Sequence, residues 1–292
     1  MQDIIHISPV APRLPTWLRK PQHNFESVHN LKSELRRLKL HTVCESARCP
    51  NLHECFHRGA ATFMILGNLC TRGCGFCSVP KSRHPGVLDP EEPANVARMA
   101  QAMRLRYVVI TSVNRDDLSD GGSAHFAQTV KEVRSTLPDA RIEVLTPDFQ
   151  GDSNAIARVL DAQPDVFNHN VETVPRLYKT VRPQARYLQS LEVLRVAKRY
   201  RPQTLTKSGA MLGLGETLDE VKQLLRDLRA AEVDVATLGQ YLQPTRRNLP
   251  VREYVTPERF DSLRDFGLAL GFKLVFSGPF VRSSYMADLQ HP

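Results

Sequence analysis

The sequence predicts a parallel α/β fold: a partial (β/α)6 TIM-like barrel with an N-terminal arm and a C-terminal cap. Three observations carry this. Six short apolar runs rich in β-branched residues recur at 62–66, 107–111, 141–145, 166–171, 204–211 and 235–238. Helix-period segments separate them at 90–103, 124–137, 153–162, 187–201 and 218–231, and strands alternating with helices pair in parallel through helical crossovers. The polar, glycine-bearing motifs follow the apolar runs, which is where parallel α/β folds place their ligands. Six units suit a partial barrel better than a closed eight-fold one, and a doubly wound open sheet is the alternative architecture.

The elements divide the chain into an arm over 1–60, a barrel over 61–245 and a cap over 246–292. The arm holds Pro9, Pro12, Pro15 and Pro21, then an amphipathic helix over 27–40 whose apolar side carries Val28, Leu31, Leu35 and Leu38. Residues 42–58 bear cysteines with no clean period. After Pro244 come a Pro- and Arg-rich link, a helix over 257–270 and a short strand over 273–277, read as part of the cap.

Composition narrows the function. With 292 residues, 41% hydrophobic and 24% charged, the chain can bury a full core and is not a disordered polymer. No apolar stretch approaches the ~18 residues that cross a membrane, and the start lacks a basic region followed by an apolar core. The expected compartment is therefore reducing and cytoplasmic, where six cysteines argue for metal or redox chemistry over disulfides. A net charge of +8 implies an acidic partner, whether nucleic acid, acidic protein or phosphorylated small molecule. The basic residues, Arg19, Lys20, Arg36, Arg37, Arg104 and Arg106 among them, form no dominant run.

The cysteines fall into two sets of three. Cys70, Cys74 and Cys77 form a Cys-x3-Cys-x2-Cys loop directly after the first apolar run. Such a glycine-containing loop can wrap three thiolates around one face of a cubane iron–sulfur cluster. Three ligands for four irons leave one iron open to chelate the amino and carboxylate groups of a substrate. Structural zinc prefers four ligands with paired Cys-x2-Cys spacing, which only Cys74 and Cys77 have. Cys44, Cys49 and Cys55 form a Cys-x4-Cys-x5-Cys segment that is ambiguous alone, since His41 or His53 could complete a zinc site. No seventh cysteine exists, so a cluster on this set has an open iron or a ligand that is not cysteine.

The first set, with Phe76 beside its last cysteine, resembles the radical S-adenosylmethionine superfamily signature. The second, read with Cys49-Pro50-Asn51 and Glu54-Cys55, resembles the lipoyl synthase family within it. Further matches span most of the chain: Thr111 to Asp117, Asp120-Gly121-Gly122, His169 to Thr173, Thr206 to Glu216, Gly239 to Thr245 and Arg282-Ser283-Ser284-Tyr285. Departures are Asn248 where histidine is frequent, the continuation Lys81 to Pro85, and His53 and Phe56 in place of commoner Gly and Trp; none removes a cluster ligand.

The resemblance implies two [4Fe-4S] clusters and S-adenosylmethionine as cofactors. The cluster on Cys70, Cys74 and Cys77 would reduce S-adenosylmethionine to a 5′-deoxyadenosyl radical. An auxiliary cluster on Cys44, Cys49 and Cys55 would give up its sulfur, two atoms being inserted into the octanoyl chain of octanoyl-lysine. Its fourth ligand would be a serine oxygen, Ser284 in preference to Ser283. Phe76, Ser112, Asn114, Glu172, Lys207 and Met211 are the expected S-adenosylmethionine contacts. Gly209, Gly213 and Glu216 resemble a fifth-strand pattern in which small residues let backbone approach adenine. No side chain is assigned as acid, base or nucleophile. Implied partners are octanoylated lipoyl carrier domains of 2-oxoacid dehydrogenase complexes and the glycine cleavage carrier protein, a one-electron donor such as ferredoxin or flavodoxin, and a cluster carrier protein. Nucleic acid and membrane are not expected. A zinc-bearing nucleic-acid module would leave the strand-end motifs unexplained, and the first cysteine set with the terminal serines argues against a different sulfur-inserting or methylthiolating radical enzyme.

Overall fold

The computed structural model describes residues 14–19, 25–57 and 60–289; most of the proline-rich start, and the Val28 side chain, lie outside them. After a 3-10 turn at Thr16–Leu18, the elements run α1 Phe25–Arg37, β1 His41–Thr42, α2 Val43–Ser46, α3 Leu52–His57, β2 Thr62–Ile65, α4 Glu92–Ala102, β3 Tyr107–Ser112, α5 Ser123–Thr136, β4 Arg141–Leu145, α6 Ser153–Asp161, β5 Val166–Asn168, α7 Tyr178–Val181, α8 Tyr187–Tyr200, β6 Leu205–Leu212, α9 Leu218–Ala230, β7 Val235–Gln240, α10 Pro257–Ala269 and β8 Leu274–Gly278.

One sheet carries all the strands, in strictly sequential order from β1 to β8. The pair β1–β2 is antiparallel, and every pair from β2–β3 to β7–β8 is parallel. A doubly wound sheet reverses its strand order at a switch point; this one never does. Right-handed crossovers in one direction put the helices on one face, so the sheet curls around the other as an open barrel. Two apolar cores lie beneath the helices. One joins β2–β5 to α4, α5 and α6 and takes in Leu35, Leu40, Cys44, Leu52 and Phe56 of the arm. The other joins β6–β8 to α8, α9 and α10.

The sequence reading differs from the structure in three places. Helix α1 ends at Arg37, because Lys39 turns left-handed (φ 55°) and the Leu40 amide reaches back to the Leu35 carbonyl at 2.8 Å, a Schellman stop. The strand assigned to the cap is β8, which pairs with β7 from Val235–Leu274 to Gly239–Gly278 and so extends the barrel to seven parallel strands. Only Val275 of its residues is buried, which is why it lacks the apolar run of a central strand. Lys207, expected among the S-adenosylmethionine contacts, lies inside β6 and is fully buried. Its ammonium donates to both oxygens of the equally buried Glu143, at 2.9 and 3.0 Å. Tyr107 Oη and Asn168 Nδ2 donate to the same carboxylate at 2.8 and 2.9 Å. Burial pushes the Lys207 ammonium below its ordinary pKa while Glu143 opposes it.

Removing one partner of such a buried pair strands a charge. Lys207→Met should lower stability to urea by about 3–5 kcal/mol, and Lys207→Met combined with Glu143→Leu should recover part of the loss. A single variant as stable as an average surface substitution would show that the pair does not hold the barrel.

Candidate functional site: a chamber at the barrel mouth

A cavity of about 670 Å³ opens at the carboxyl ends of the strands and is walled by both cysteine triplets. The first triplet follows β2 on a loop fastened from several sides. The Cys70 amide bonds the Pro80 carbonyl at 2.9 Å and the Ser82 amide bonds the Cys70 carbonyl at 2.9 Å, so the loop closes on itself. Arg72 clamps it to the ends of β3 and β4. Nε and Nη2 donate to Asp116 at 2.7 Å each, and Nη1 and Nη2 donate to Asp148 at 2.8 and 2.7 Å. Burial works to raise the Asp148 pKa, but the Arg72 hydrogen bonds and charge outweigh it and hold the carboxyl down at about 2.

On the other side the Gly75 amide donates to the Val181 carbonyl at 2.9 Å. A Cβ at Gly75 would sit 2.9 Å from Leu249 and 3.1 Å from the Thr180 carbonyl, so a larger residue there would have to displace the Leu249 side chain. Asn248, the departure noted in the sequence, donates from Nδ2 to the Cys77 and Gly75 carbonyls at 3.0 and 3.3 Å. It thus clasps the loop that its neighbour Leu249 covers.

The second triplet is carried by the arm. Cys44 lies in α2, capped by Thr42, whose hydroxyl accepts from the Glu45 amide at 3.4 Å; Cys55 lies in α3, with Cys49 between the helices. The Ser78 hydroxyl donates to the Ser46 carbonyl at 2.5 Å, tying the two cysteine segments together. The tail beyond β8 then crosses the mouth. Asn51 Nδ2 donates to the Phe280 carbonyl at 2.8 Å, and Tyr285 Oη donates to Glu54 at 2.7 Å. These bonds bring Ser283 and Ser284 to the chamber wall. Ser283 Oγ donates to Asn170 Oδ1 at 2.9 Å, whereas Ser284 Oγ makes no hydrogen bond among the described residues.

The donor set fits iron–sulfur clusters. No disulfide pairs any of the six cysteines. Burial pushes Cys44 and Cys77 up to about 12 and raises Cys74 as well. Such thiols are inert as nucleophiles, and a coordinated metal deprotonates them outright. Among the described residues no group of three His, Cys, Asp or Glu closes on the point a single ion needs. The Cys70 sulfur already accepts from the Arg72 and Asn114 amides at 3.4 and 3.3 Å, the kind of hydrogen bond that tunes cluster thiolates.

Of the expected S-adenosylmethionine contacts, Phe76, Ser112, Asn114, Glu172 and Met211 line the chamber. Ser112 Oγ is buried there with no partner. Glu172 adopts φ 65° and is locked to β6, its amide on the Gly209 carbonyl and its carbonyl under the Met211 amide, both at 2.9 Å. Burial raises its pKa above the ordinary carboxylate value, with Arg182 opposing. Lys207 does not reach the chamber, being committed to Glu143. Gly213 and Glu216 do not line it either: Glu216 accepts from the Gly213 and Leu214 amides and ties down the turn after β6. Sequence reasoning passed over Arg182, which lines the chamber and donates to the Asn170 carbonyl at 2.9 Å with its Nε left without a partner. It also passed over Asn170, although that residue stood within a quoted motif.

Residues 64–228 match the radical SAM superfamily, and residues 7–49 match the N-terminal domain of lipoyl synthase of that family. A lipoyl synthase of Thioalkalivibrio sulfidiphilus is 56% identical over 279 residues, covering 95% of this chain and 87% of that protein. The chain belongs to the lipoyl synthase family. A lipoyl synthase of Rubrobacter xylanophilus is 55% identical over 94% of the chain and 86% of its own length. Solved structures agree in fold at low identity. Methylornithine synthase is 15% identical with a TM-score of 0.56, over 78% of this chain and 76% of its own. Streptococcus suis SuiB bound to S-adenosylmethionine is 12% identical with a TM-score of 0.59, over 87% and 60%. As a radical SAM enzyme of this family, the chain uses a [4Fe-4S] cluster and S-adenosylmethionine. No helix among the described residues is long and apolar enough to cross a membrane.

The Arg72 clamp should govern how firmly this lipoyl synthase holds its loop. Asp148→Ala removes two charge-assisted bonds and should cost about 2–3 kcal/mol of stability, with faster iron release to a chelator. Because the Asp148 carboxyl sits at about 2, its contribution is full above the ordinary carboxylate range and disappears only as pH falls through that value. Unchanged iron release would remove the clamp's role.

Proposed function

We propose that the two triplets divide the lipoyl synthase reaction between them: Cys70, Cys74 and Cys77 hold the cluster that binds S-adenosylmethionine, and Cys44, Cys49, Cys55 and Ser284 hold an auxiliary [4Fe-4S] cluster that supplies sulfur. The observation that carries this reading is that one chamber is walled by both triplets and by Ser284. When bound, these groups supply a carbon radical able to take hydrogen from an unactivated alkyl carbon, and sulfur to replace it, at two positions of an octanoyl chain.

The chain's own residues bind and exclude. Ser112, Asn114, Glu172 and Met211 would contact S-adenosylmethionine, with Phe76 and Met211 both packed against the apolar cluster of Val181, Leu214, Tyr241 and Val251. The tail, tied down through Asn51 and Tyr285, screens the chamber from water. A serine oxygen is a harder ligand than thiolate and a poorer match for iron in a sulfur cluster, which suits a cluster that must come apart. Ser284 is favoured over Ser283 because the Ser283 hydroxyl is already engaged by Asn170. The net charge of +8 suits docking of an acidic octanoylated carrier domain, such as those of 2-oxoacid dehydrogenase complexes or the glycine cleavage carrier protein. A ferredoxin or flavodoxin would supply electrons and a cluster carrier protein would rebuild the consumed cluster, all in the cytoplasm.

Product mass under single-turnover conditions tests the assignment. Ser284→Cys should assemble its cluster, cleave S-adenosylmethionine and stall at or before the first sulfur insertion, and Ser284→Ala should also make no dithiolane. Full dithiolane formation by both variants would remove Ser284 as ligand.

A further inference from the structure

We propose that Ser283 and Asn170 form a bridge through which seating of the C-terminal tail and binding of S-adenosylmethionine depend on each other, with Ser283 as a positioning residue. The proposal rests on the reading of Glu172 as part of the S-adenosylmethionine site. Two consecutive hydrogen bonds make the bridge. Ser283 Oγ donates to Asn170 Oδ1 at 2.9 Å, and Asn170 Nδ2 donates to Glu172 Oε1 at 3.1 Å. The amide is thereby oriented from both ends. Reversed, it would set its oxygen against the buried Glu172 carboxylate, so Glu172 fixes the sense of the amide and the Ser283 hydroxyl holds its oxygen end in place.

The seat for this hydroxyl is built into the barrel. A Cβ at Gly209 of β6 would lie 2.8 Å from Ser283 Oγ and 3.0 Å from Asn170 Oδ1, and would collide with Thr237. A Cβ at Gly239 of β7 would collide with the Val281 carbonyl. Two neighbouring strands therefore give up side chains where the tail lies against them. Neither end of the bridge is slack. The Asn170 carbonyl is held by Arg182 at 2.9 Å, and the Glu172 backbone is pinned to β6 on both sides. A ligand that tightens Glu172 therefore tightens the tail, and by thermodynamic reciprocity a seated tail tightens the ligand.

The test uses anaerobically reconstituted protein with matched iron content and S-adenosylmethionine without reductant, so that nothing turns over. Ser283→Ala should raise the dissociation constant for S-adenosylmethionine about 3- to 10-fold, the worth of one hydrogen bond. In the parent, S-adenosylmethionine should slow amide exchange across residues 279–289, and in Ser283→Ala it should not. Asn170→Ala also removes the bond to Glu172 and should weaken binding at least as much, and the double variant should be no worse than Asn170→Ala alone, because Ser283 acts through Asn170. Weakened binding in Glu172→Gln with parent-like binding and exchange in Ser283→Ala would overturn the bridge alone. Parent-like binding in both variants would overturn the placement of Glu172 as well. The ligand role of Ser284 is read by product formation and is independent of these measurements.

Discussion

Two hydrogen bonds between the tail and the cysteine arm, Asn51 to Phe280 and Tyr285 to Glu54, join residues 229 and 231 positions apart in the chain. The chamber depends on them. The arm contributes a two-residue antiparallel strand at one end of the sheet and the tail follows the strand at the other, so an open barrel would leave the two cysteine sets facing solvent across a gap. Closing a loop that long costs more than a local turn, although the cost grows only slowly with length. It is offset by burying Phe56, Leu52 and Cys44 in the main core, which holds the arm against the barrel. Tail, arm and barrel together then wall one cavity of about 670 Å³ that opens at the strand ends.

Electrostatics follows from that enclosure. Buried thiols resist ionisation, and the nearest buried cations are arginines. Arg182 lies close enough to Cys74 and Glu172 to interact electrostatically with both, and Arg282 with Cys49 and Glu172. Guanidinium keeps its charge in such surroundings better than ammonium does. Thiolates formed at either cysteine set would add negative charge to the chamber wall, and these arginines are placed to balance it. Lys207, the one lysine expected at the site, serves instead inside the barrel, where a fixed carboxylate compensates it.

The order of strands and helices was legible because parallel strands buried on both faces write continuous apolar runs; β4 occupies the stretch read from sequence without a shift at either end. β8 was harder to place. At the edge of the sheet, with Val275 alone buried, it carries no run to separate it from a cap. Both cysteine triplets and the terminal serines were singled out by spacing and motif, and the structure brings them to the wall of one chamber. Asn170, Arg182 and Asn248 were not, because each acts through a backbone carbonyl or a neighbour's side chain, and such roles leave no periodicity. Gly209 was read as a small residue that lets backbone approach adenine. The structure shows that Ser283, Asn170 and Thr237 occupy the space its side chain would take.

The central claim is that one chamber holds two clusters on two separate cysteine sets. Iron per chain in anaerobically reconstituted protein tests it most directly, comparing the parent with a variant in which Cys44, Cys49 and Cys55 are all alanine. Two four-iron clusters predict a fall from about eight irons to about four, with the remaining iron on the Cys70 loop. Iron content that does not change would contradict the account.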